Sequence, residues 1–299
     1  MQVGFIGLGK MGRTMVLNLA SELFDVISYD IDPKIRTELG KKYKIATNIQ
    51  ELVNYLKPER KIMIMVPAGE PLDQVISETY PYLTEGDVLI DAGNSHYKDS
   101  IRRAKMLEKK DVYFLDAGTS GGLKGAEIGL SFTVGGKKEA YEKTKPIFEK
   151  LAVKDGLCYV GESGSGHYVK MIHNGIEYAM LQALGEGFEL LKKSQFNLPL
   201  IDIAHTWNNG AIIRSYILEL AEEALKTEDF ENIKGIVEGG ETGRWAIEEA
   251  LERDVPIPVI TAALISRLRS RQEELFSDKL VAVLRNKFGG HKVHKKNEE

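Results

Sequence analysis

A doubly wound α/β sheet domain followed by an all-α helical domain is the fold class the sequence predicts, and three observations predict it. Short β-branched runs alternate with amphipathic stretches as far as Gly161. A glycine-rich loop joins the first such run to the first helical stretch. Beyond Gly161 the apolar residues recur with helical period and no strand pattern follows.

Taken in order, the strand candidates are Gln2–Gly7, Asp25–Asp30, Lys61–Val66, Asp87–Asp91, Val112–Asp116 and Leu130–Val134. Between them lie amphipathic stretches such as Met11–Ser21, Pro71–Tyr80 and Ser100–Lys109, and a helix over Lys138–Leu151 ends the half. Gly161-Glu162-Ser163-Gly164-Ser165-Gly166 is a turn-rich hinge, which divides the chain into domains 1–161 and 162–299. After it, Gly166–Lys193 reads as one long helix and Pro258–Phe288 as another. Long helices with no sheet to cover them need partners, so a homo-oligomer is expected. The charged tail His291–Glu299 is expected to be solvated.

Of the 299 residues, 43% are hydrophobic and 28% charged, the range of a globular protein, and the formal charge is −4. That balance gives no support for binding nucleic acid or an anionic membrane. No run approaches the ~18 apolar residues of a membrane span. The opening Val3-Gly4-Phe5-Ile6-Gly7 lacks a basic leader and runs straight into the glycine motif, so a cytoplasmic location is expected. The single cysteine, Cys158, sits in the run Gly156-Leu157-Cys158-Tyr159-Val160 and reads as a small core residue. No compact cluster of His, Cys and Asp has metal-ligand spacing, and His291 and His294 are isolated, so no metal site is expected.

Gly7-Leu8-Gly9-Lys10-Met11-Gly12 has the G-x-G-x-x-G pattern, and it lies between a strand and a helix as a Rossmann-type dinucleotide site requires. Gly7 permits the tight turn, Gly9 lets backbone approach a pyrophosphate, and Gly12 lets the helix pack against the sheet. The helix N-terminus offers free N–H groups to phosphate. Asp30 ends the second strand about 20 residues beyond the loop, where a carboxylate reads the ribose hydroxyls. It repels a 2′-phosphate by about 1–4 kcal/mol at ~4 Å. Asp32 competes for that role but reads better as the cap of a helix starting at Pro33. With Ile31 rather than arginine after Asp30, NAD is expected over NADP.

On the long helix, Lys170, His173, Asn174, Glu177 and Tyr178 fall at offsets 0, 3, 4, 7 and 8, one stripe that continues into Leu181 and Leu184. The face is therefore expected to point inward, where so many polar groups are tolerable only if they line a polar cavity or are paired. A lysine can act as base for an alcohol where burial or nearby positive charge favours the neutral amine.

Three stretches go further: Asp91-Ala92-Gly93-Asn94-Ser95, Ser120-Gly121-Gly122, and the run from Gly166 through Lys170-Met171-Ile172-His173-Asn174-Gly175-Ile176-Glu177-Tyr178. With the opening glycine loop they closely resemble the 6-phosphogluconate dehydrogenases, in a short, NAD-preferring form. The likeness runs over nearly the whole chain. It implies oxidative decarboxylation of 6-phosphogluconate to ribulose 5-phosphate in the pentose phosphate pathway, with Lys170 as base and Glu177 as acid. It places Asn94, Ser120, Gly121, Gly122, His173 and Asn174 on the sugar acid, and Tyr178, Thr242 and Arg267 on its phosphate. On the cofactor it adds Val66, Pro67 and Asn94 to the glycine loop and Asp30. Arg285-Asn286-Lys287-Phe288-Gly289-Gly290-His291 resembles a family segment whose arginine and histidine reach a neighbouring subunit's active site, which implies at least a homodimer.

One departure stands out. Where the family's long form has Lys-Gly-Thr-Gly-Lys-Trp, this chain has Gly240-Glu241-Thr242-Gly243-Arg244-Trp245, so a phosphate-contacting lysine is gone and Arg244 stands at the second. An unphosphorylated or related sugar acid therefore stays open. The nearest rival is a β-hydroxyacid dehydrogenase, which shares the glycine loop, the Ser-Gly-Gly loop and the Lys-to-Asn spacing but needs neither Glu177 nor a phosphate arginine. A catalytically silent NAD-sensing protein on the same fold is the other.

Overall fold

In the computed structural model, which describes residues 1–20 and 23–296, eight strands form one sheet in the order β3-β2-β1-β4-β5-β6-β7-β8. The strands are β1 (Gln2–Ile6), β2 (Asp25–Tyr29), β3 (Lys44–Ile45), β4 (Lys61–Ile64), β5 (Val88–Asp91), β6 (Tyr113–Ser120), β7 (Leu130–Gly136) and β8 (Ala152–Gly161). All neighbours are parallel except β6 and β7, which run antiparallel. The strand order reverses between β1 and β4, the position where such sheets open a crevice for ligands at their carboxyl ends.

Both faces of the sheet are covered, which is why its central strands are continuously apolar rather than alternating. Val3 and Phe5 of β1 join one buried cluster with Met15, Leu115, Phe132 and Phe148. Ile6 joins the opposite cluster with Ile27, Leu52, Ile64 and Leu89. Helix α1 (Lys10–Leu19) buries Gly12, Met15, Val16 and Leu19, one stripe at helical spacing. Helix α2 (Pro33–Leu39) is capped by Asp32, whose side chain accepts the Lys34 N–H at 2.8 Å.

The chain divides into two compact units, Met1–Asn174 and Gly175–Glu299. The division falls within the helix Ser165–Lys192. Helices α3 (Ile49–Tyr55) and α4 (Glu70–Thr79) lie in the first unit, and the second includes α9 (Leu200–Asn208), α10 (Tyr216–Thr227), α11 (Glu241–Glu252), α12 (Pro258–Arg269) and α13 (Phe276–Gly289). None of the helices among the described residues is long and apolar enough to cross a membrane.

Three expectations need correction. The helix expected over Pro258–Phe288 is two helices, because the polar run Ser270–Leu275 turns the chain. There the Ser270 hydroxyl donates to the Arg267 carbonyl, and the Arg271 guanidinium donates to the carbonyls of Val237 and Gly239. Cys158 is exposed rather than buried. It lies on edge strand β8, where Leu157 and Tyr159 turn toward the core and the alternate residue faces the other way. The stripe of the long helix does not stay inward, since Leu181 is 41% exposed in the single chain. The second unit's own buried cluster is small, centred on Tyr178, Ala263 and Leu264, and leaves little to cover the helix beyond them.

Candidate functional site

At the carboxyl end of β1 the glycine loop turns into α1. Gly7 has φ +98°, and a Cβ there would meet the Met65 carbonyl oxygen at 2.4 Å. At Gly12 a Cβ would lie 2.0 Å from the Gly7 carbonyl oxygen. Both glycines are thus demanded by the protein itself. Gly9 is different, because a Cβ there would meet nothing within 4 Å and its φ of −62° suits any residue. Its missing side chain serves whatever lies against the loop, and α1 has no side-chain cap on its first N–H groups. A helix end of this kind fits a pyrophosphate.

Asp30 follows β2 and is 8% exposed. Its Oδ2 accepts the Leu8 N–H at 2.6 Å and its Oδ1 accepts the Asp32 N–H at 2.8 Å. A carboxylate has about four acceptor positions, so both oxygens retain one for a ribose hydroxyl while the carboxylate braces the glycine loop. Arg36 donates to the carbonyls of Asp30 and Ile31 and lies over the Tyr29 ring. Val66 and Pro67 follow β4, with Val66 against the glycine loop: a Cβ on Gly7 would approach its Cγ1 to 2.9 Å. Asn94 follows β5 with φ +57°. Its amide donates to the Thr119 carbonyl at 3.0 Å and accepts the Thr119 N–H at 2.8 Å, strapping this loop to β6.

Ser120 closes β6, and Gly121 and Gly122, both at positive φ, start α6 (Gly122–Ile128). The long helix, α8 (Ser165–Lys192), enters beside β6, with α7 (Lys138–Leu151) before it. Lys170 is 7% exposed, and its Nζ lies 3.1 Å from His173 Nδ1. The same Nδ1 lies 3.0 Å from Asn174 Oδ1, and His173 Nε2 is 3.2 Å from Ser120 Oγ. The first unit therefore brings Ser120, Lys170, His173 and Asn174 into one hydrogen-bonded group.

Beneath that group lies a polar layer that sequence reasoning missed. Asp116, fully buried, accepts the N–H groups of Gly164 at 2.6 Å and His167 at 2.9 Å, so a β6 carboxylate serves the first turn of α8. Burial pushes the Asp116 carboxyl above the usual carboxylate range, against the pull of His167 and the two N–H donors. His167 Nδ1 is 2.8 Å from Ser100 Oγ on α5 (Tyr97–Glu108), and Asp91 accepts from Ser95 Oγ at 2.7 Å. The signal was present: an aspartate inside the apolar run Tyr113-Phe114-Leu115-Asp116 is affordable only when bonded.

In the second unit Tyr178, Thr242 and Arg267 come together. The Tyr178 hydroxyl is 3.0 Å from Thr242 Oγ1, and the Arg267 guanidinium stacks 3.6 Å from the Tyr178 ring centre. Thr242 opens α11 (Glu241–Glu252), which starts from Gly240 at φ +126°. Gly243 admits the Tyr178 ring, since a Cβ there would come within 2.6 Å of it. Arg244 is exposed. Glu177 is half-buried on α8. Arg285 is on α13 (Phe276–Gly289), where the turn at Gly290 brings His291 back to 3.5 Å from the Arg285 guanidinium.

Fold and loop together define a Rossmann-type dinucleotide-binding protein with an added helical domain. Two family signatures match it: the NAD binding domain of 6-phosphogluconate dehydrogenase over residues 2–161, and the 6-phosphogluconate dehydrogenase C-terminal domain over residues 166–299. A Haloferax volcanii protein named NAD(+)-dependent, decarboxylating 6-phosphogluconate dehydrogenase is 44% identical over 302 residues, covering 100% of each chain. The solved Plasmodium falciparum 6-phosphogluconate dehydrogenase, described with its cofactor NADP+ and its substrate 6-phosphogluconate, superposes with a TM-score of 0.85 at 33% identity. That match covers 100% of this chain and 67% of the Plasmodium one. A 3-hydroxyisobutyrate dehydrogenase from Salmonella typhimurium shares the fold, with a TM-score of 0.76 at 19% identity over 90% of this chain and 93% of its own. The chain belongs to the 6-phosphogluconate dehydrogenase family.

Proposed function

We propose that this chain oxidises and decarboxylates 6-phosphogluconate to ribulose 5-phosphate with NAD. The observation that carries the reading is the buried Lys170 hydrogen-bonded to His173, on a helix that carries Glu177 seven residues further on. A β-hydroxyacid dehydrogenase has no use for that acid or for the Arg267–Tyr178–Thr242 group. Residues 1–161 hold the dinucleotide, and residues 162–299 hold substrate and partner.

The dinucleotide, when bound, would supply the hydride acceptor for carbon 3 of the substrate. The Lys170 amine takes the carbon 3 hydroxyl proton, leaving a 3-keto acid. As the carbon 1–carbon 2 bond breaks, its electron pair moves toward the new carbonyl and the Lys170 ammonium returns its proton to that oxygen. Carbon dioxide leaves, and an enediol remains. Glu177 protonates the carbon that lost carbon dioxide while Lys170 takes the enol proton, and a net proton transfer from Lys170 to Glu177 resets the pair. Asn94, Ser120, Gly121, Gly122, His173 and Asn174 hold the sugar acid; Tyr178, Thr242 and Arg267 hold its phosphate. Gly7, Leu8, Gly9, Lys10, Met11 and Gly12 hold the pyrophosphate, Asp30 the ribose, and Val66, Pro67 and Asn94 the nicotinamide end.

The test is an assay of 6-phosphogluconate with NAD and NADP in parallel, in a metal chelator. The expected result is turnover with both and at least a tenfold higher kcat/KM with NAD, because the Asp30 carboxylate repels the 2′-phosphate. A higher kcat/KM with NADP contradicts the assignment of Asp30. No turnover with either contradicts the function.

The working unit is at least a homodimer in which Arg285 and His291 complete a neighbour's site. The apolar side chains left exposed on α13, including Phe276 at 78% and Phe288 at 79%, support this. Two inactive variants, Lys170→Met and the double Arg285→Ala, His291→Ala, are expected to complement each other when co-expressed. Random dimers give about a quarter of wild-type activity, since half are mixed and each mixed dimer has one intact site. Activity no higher than the separate variants contradicts the shared site.

A further inference from the structure

Three alternate residues of β6 each meet a different turn of α8. The Asp116 carboxylate accepts the Gly164 and His167 N–H groups at 2.6 and 2.9 Å. Gly118 lies directly under the lysine: a Cβ there would be 2.6 Å from Lys170 Cβ, 2.6 Å from Thr133 Oγ1 and 2.7 Å from the Gly166 carbonyl oxygen. Ser120 Oγ lies 3.2 Å from His173 Nε2. Successive same-face positions on a strand are two residues apart, and successive same-face positions on a helix three or four. The strand residues 116, 118 and 120 therefore address helix residues 167, 170 and 173 in register.

We propose that Asp116 and Gly118 are positioning residues for Lys170, fixing the height of α8 over β6. The inference rests on Lys170 being the base of the proposed reaction. Asp116 anchors the helix start by bonding the N–H of Gly164, just before the helix, and that of His167 in its first turn, which no carbonyl within the helix can reach. Gly118 sets how deep the next turn sits, because only a residue without Cβ lets Lys170 come this close to the sheet. Neither side chain reaches substrate; each acts through the helix backbone.

A methyl group on Gly118 must push the helix away, since ordinary carbon contacts lie at about 3.5–4.0 Å. The displacement is on the order of 1 Å, and a misplacement of that size lowers turnover by about a hundredfold. Asp116→Asn keeps the volume but leaves one of the two N–H groups facing an amide donor, and a loss of about tenfold is expected.

The experiment is a single-turnover measurement of NADH formation on Gly118→Ala and Asp116→Asn, with folding followed by thermal melting and NADH binding by fluorescence. If the inference holds, the rate constant falls in both variants while amplitude, NADH affinity and the KM for 6-phosphogluconate stay within about threefold of wild type. A structural role alone would lower the amplitude, through fewer folded molecules, and leave the rate constant unchanged; that result overturns the inference, as does a rate constant within twofold of wild type in both. Should Gly118→Ala fail to fold, Asp116→Asn decides by the same criteria. Lys170→Met in the same assay separates the two readings: normal NADH formation there removes the base, whatever the β6 variants do.

Discussion

Replacing Lys170 by methionine is expected to lower kcat/KM for 6-phosphogluconate by about a thousandfold, within the range that positioned acid–base groups supply. Methionine fills nearly the same space, so the buried position of this side chain, 7% exposed, stays occupied. The loss is thus chemical: no amine remains to take the hydroxyl proton, and no ammonium to return it as carbon dioxide leaves. Arginine in its place does not rescue turnover, because a guanidinium does not give up its proton. NADH binding is expected within twofold of wild type, since the glycine loop and the Asp30 carboxylate that braces it make their contacts on β1, β2 and α1. Steady-state kinetics and NADH fluorescence on the one variant check both halves. Retained turnover refutes the assignment of the base.

Arg267→Met is the second large effect, and it falls on binding rather than chemistry. The wild-type guanidinium is held flat on the Tyr178 ring at 3.6 Å, and Tyr178 is fixed by its 3.0 Å contact with Thr242. That stack presents a preset fork of donors to a phosphate. Its loss is expected to weaken phosphate binding by about 3 kcal/mol, which raises the KM for 6-phosphogluconate about a hundredfold. The kcat should change less than fivefold, the pattern for a contact made equally in ground and transition states. Arg267→Lys keeps the charge but loses the stack and the fork, and recovers only part of the affinity. Unphosphorylated gluconate is the control: its kcat/KM should be the same in wild type and variant. An equal loss for both substrates shows that Arg267 supports the fold instead of gripping phosphate. The missing lysine at Gly240 makes the test sharper, because fewer cations remain to compensate.

Local patterns made the first unit legible. The glycine loop, the six strands and Asp32 as a cap follow from turn chemistry and period, which depend on neighbours in sequence. Strands β3 and β8, the two edges of the sheet, escaped: β3 has only two residues, and Lys154-Asp155 interrupts β8 ahead of residues 156–160. The edge position also left Cys158 exposed. Two short helices became one in the reading of Pro258–Phe288, since the break at Ser270 depends on Arg271 bonding the carbonyls of Val237 and Gly239, more than thirty residues away in the chain. At the site, the stripe from Lys170 to Tyr178 was visible as a helical pattern. Its support was visible only in part: an aspartate in an apolar run signals that Asp116 must be bonded, but its partners Gly164 and His167 lie about fifty residues away across a strand–helix contact that no window along the sequence contains. Leu181 shows the converse limit: a helical pattern says which residues share a face, and only packing says what that face meets.

The pairing of oxidation with carbon loss is what sets this reading apart from simple alcohol dehydrogenation. With 6-phosphogluconate carrying a label in carbon 1, wild type is expected to release one labelled carbon dioxide for each NADH formed, and Glu177→Gln to lose that turnover while still binding NAD. NADH formed by the wild type with the label retained in a keto acid would contradict the account, as would full carbon dioxide release by Glu177→Gln.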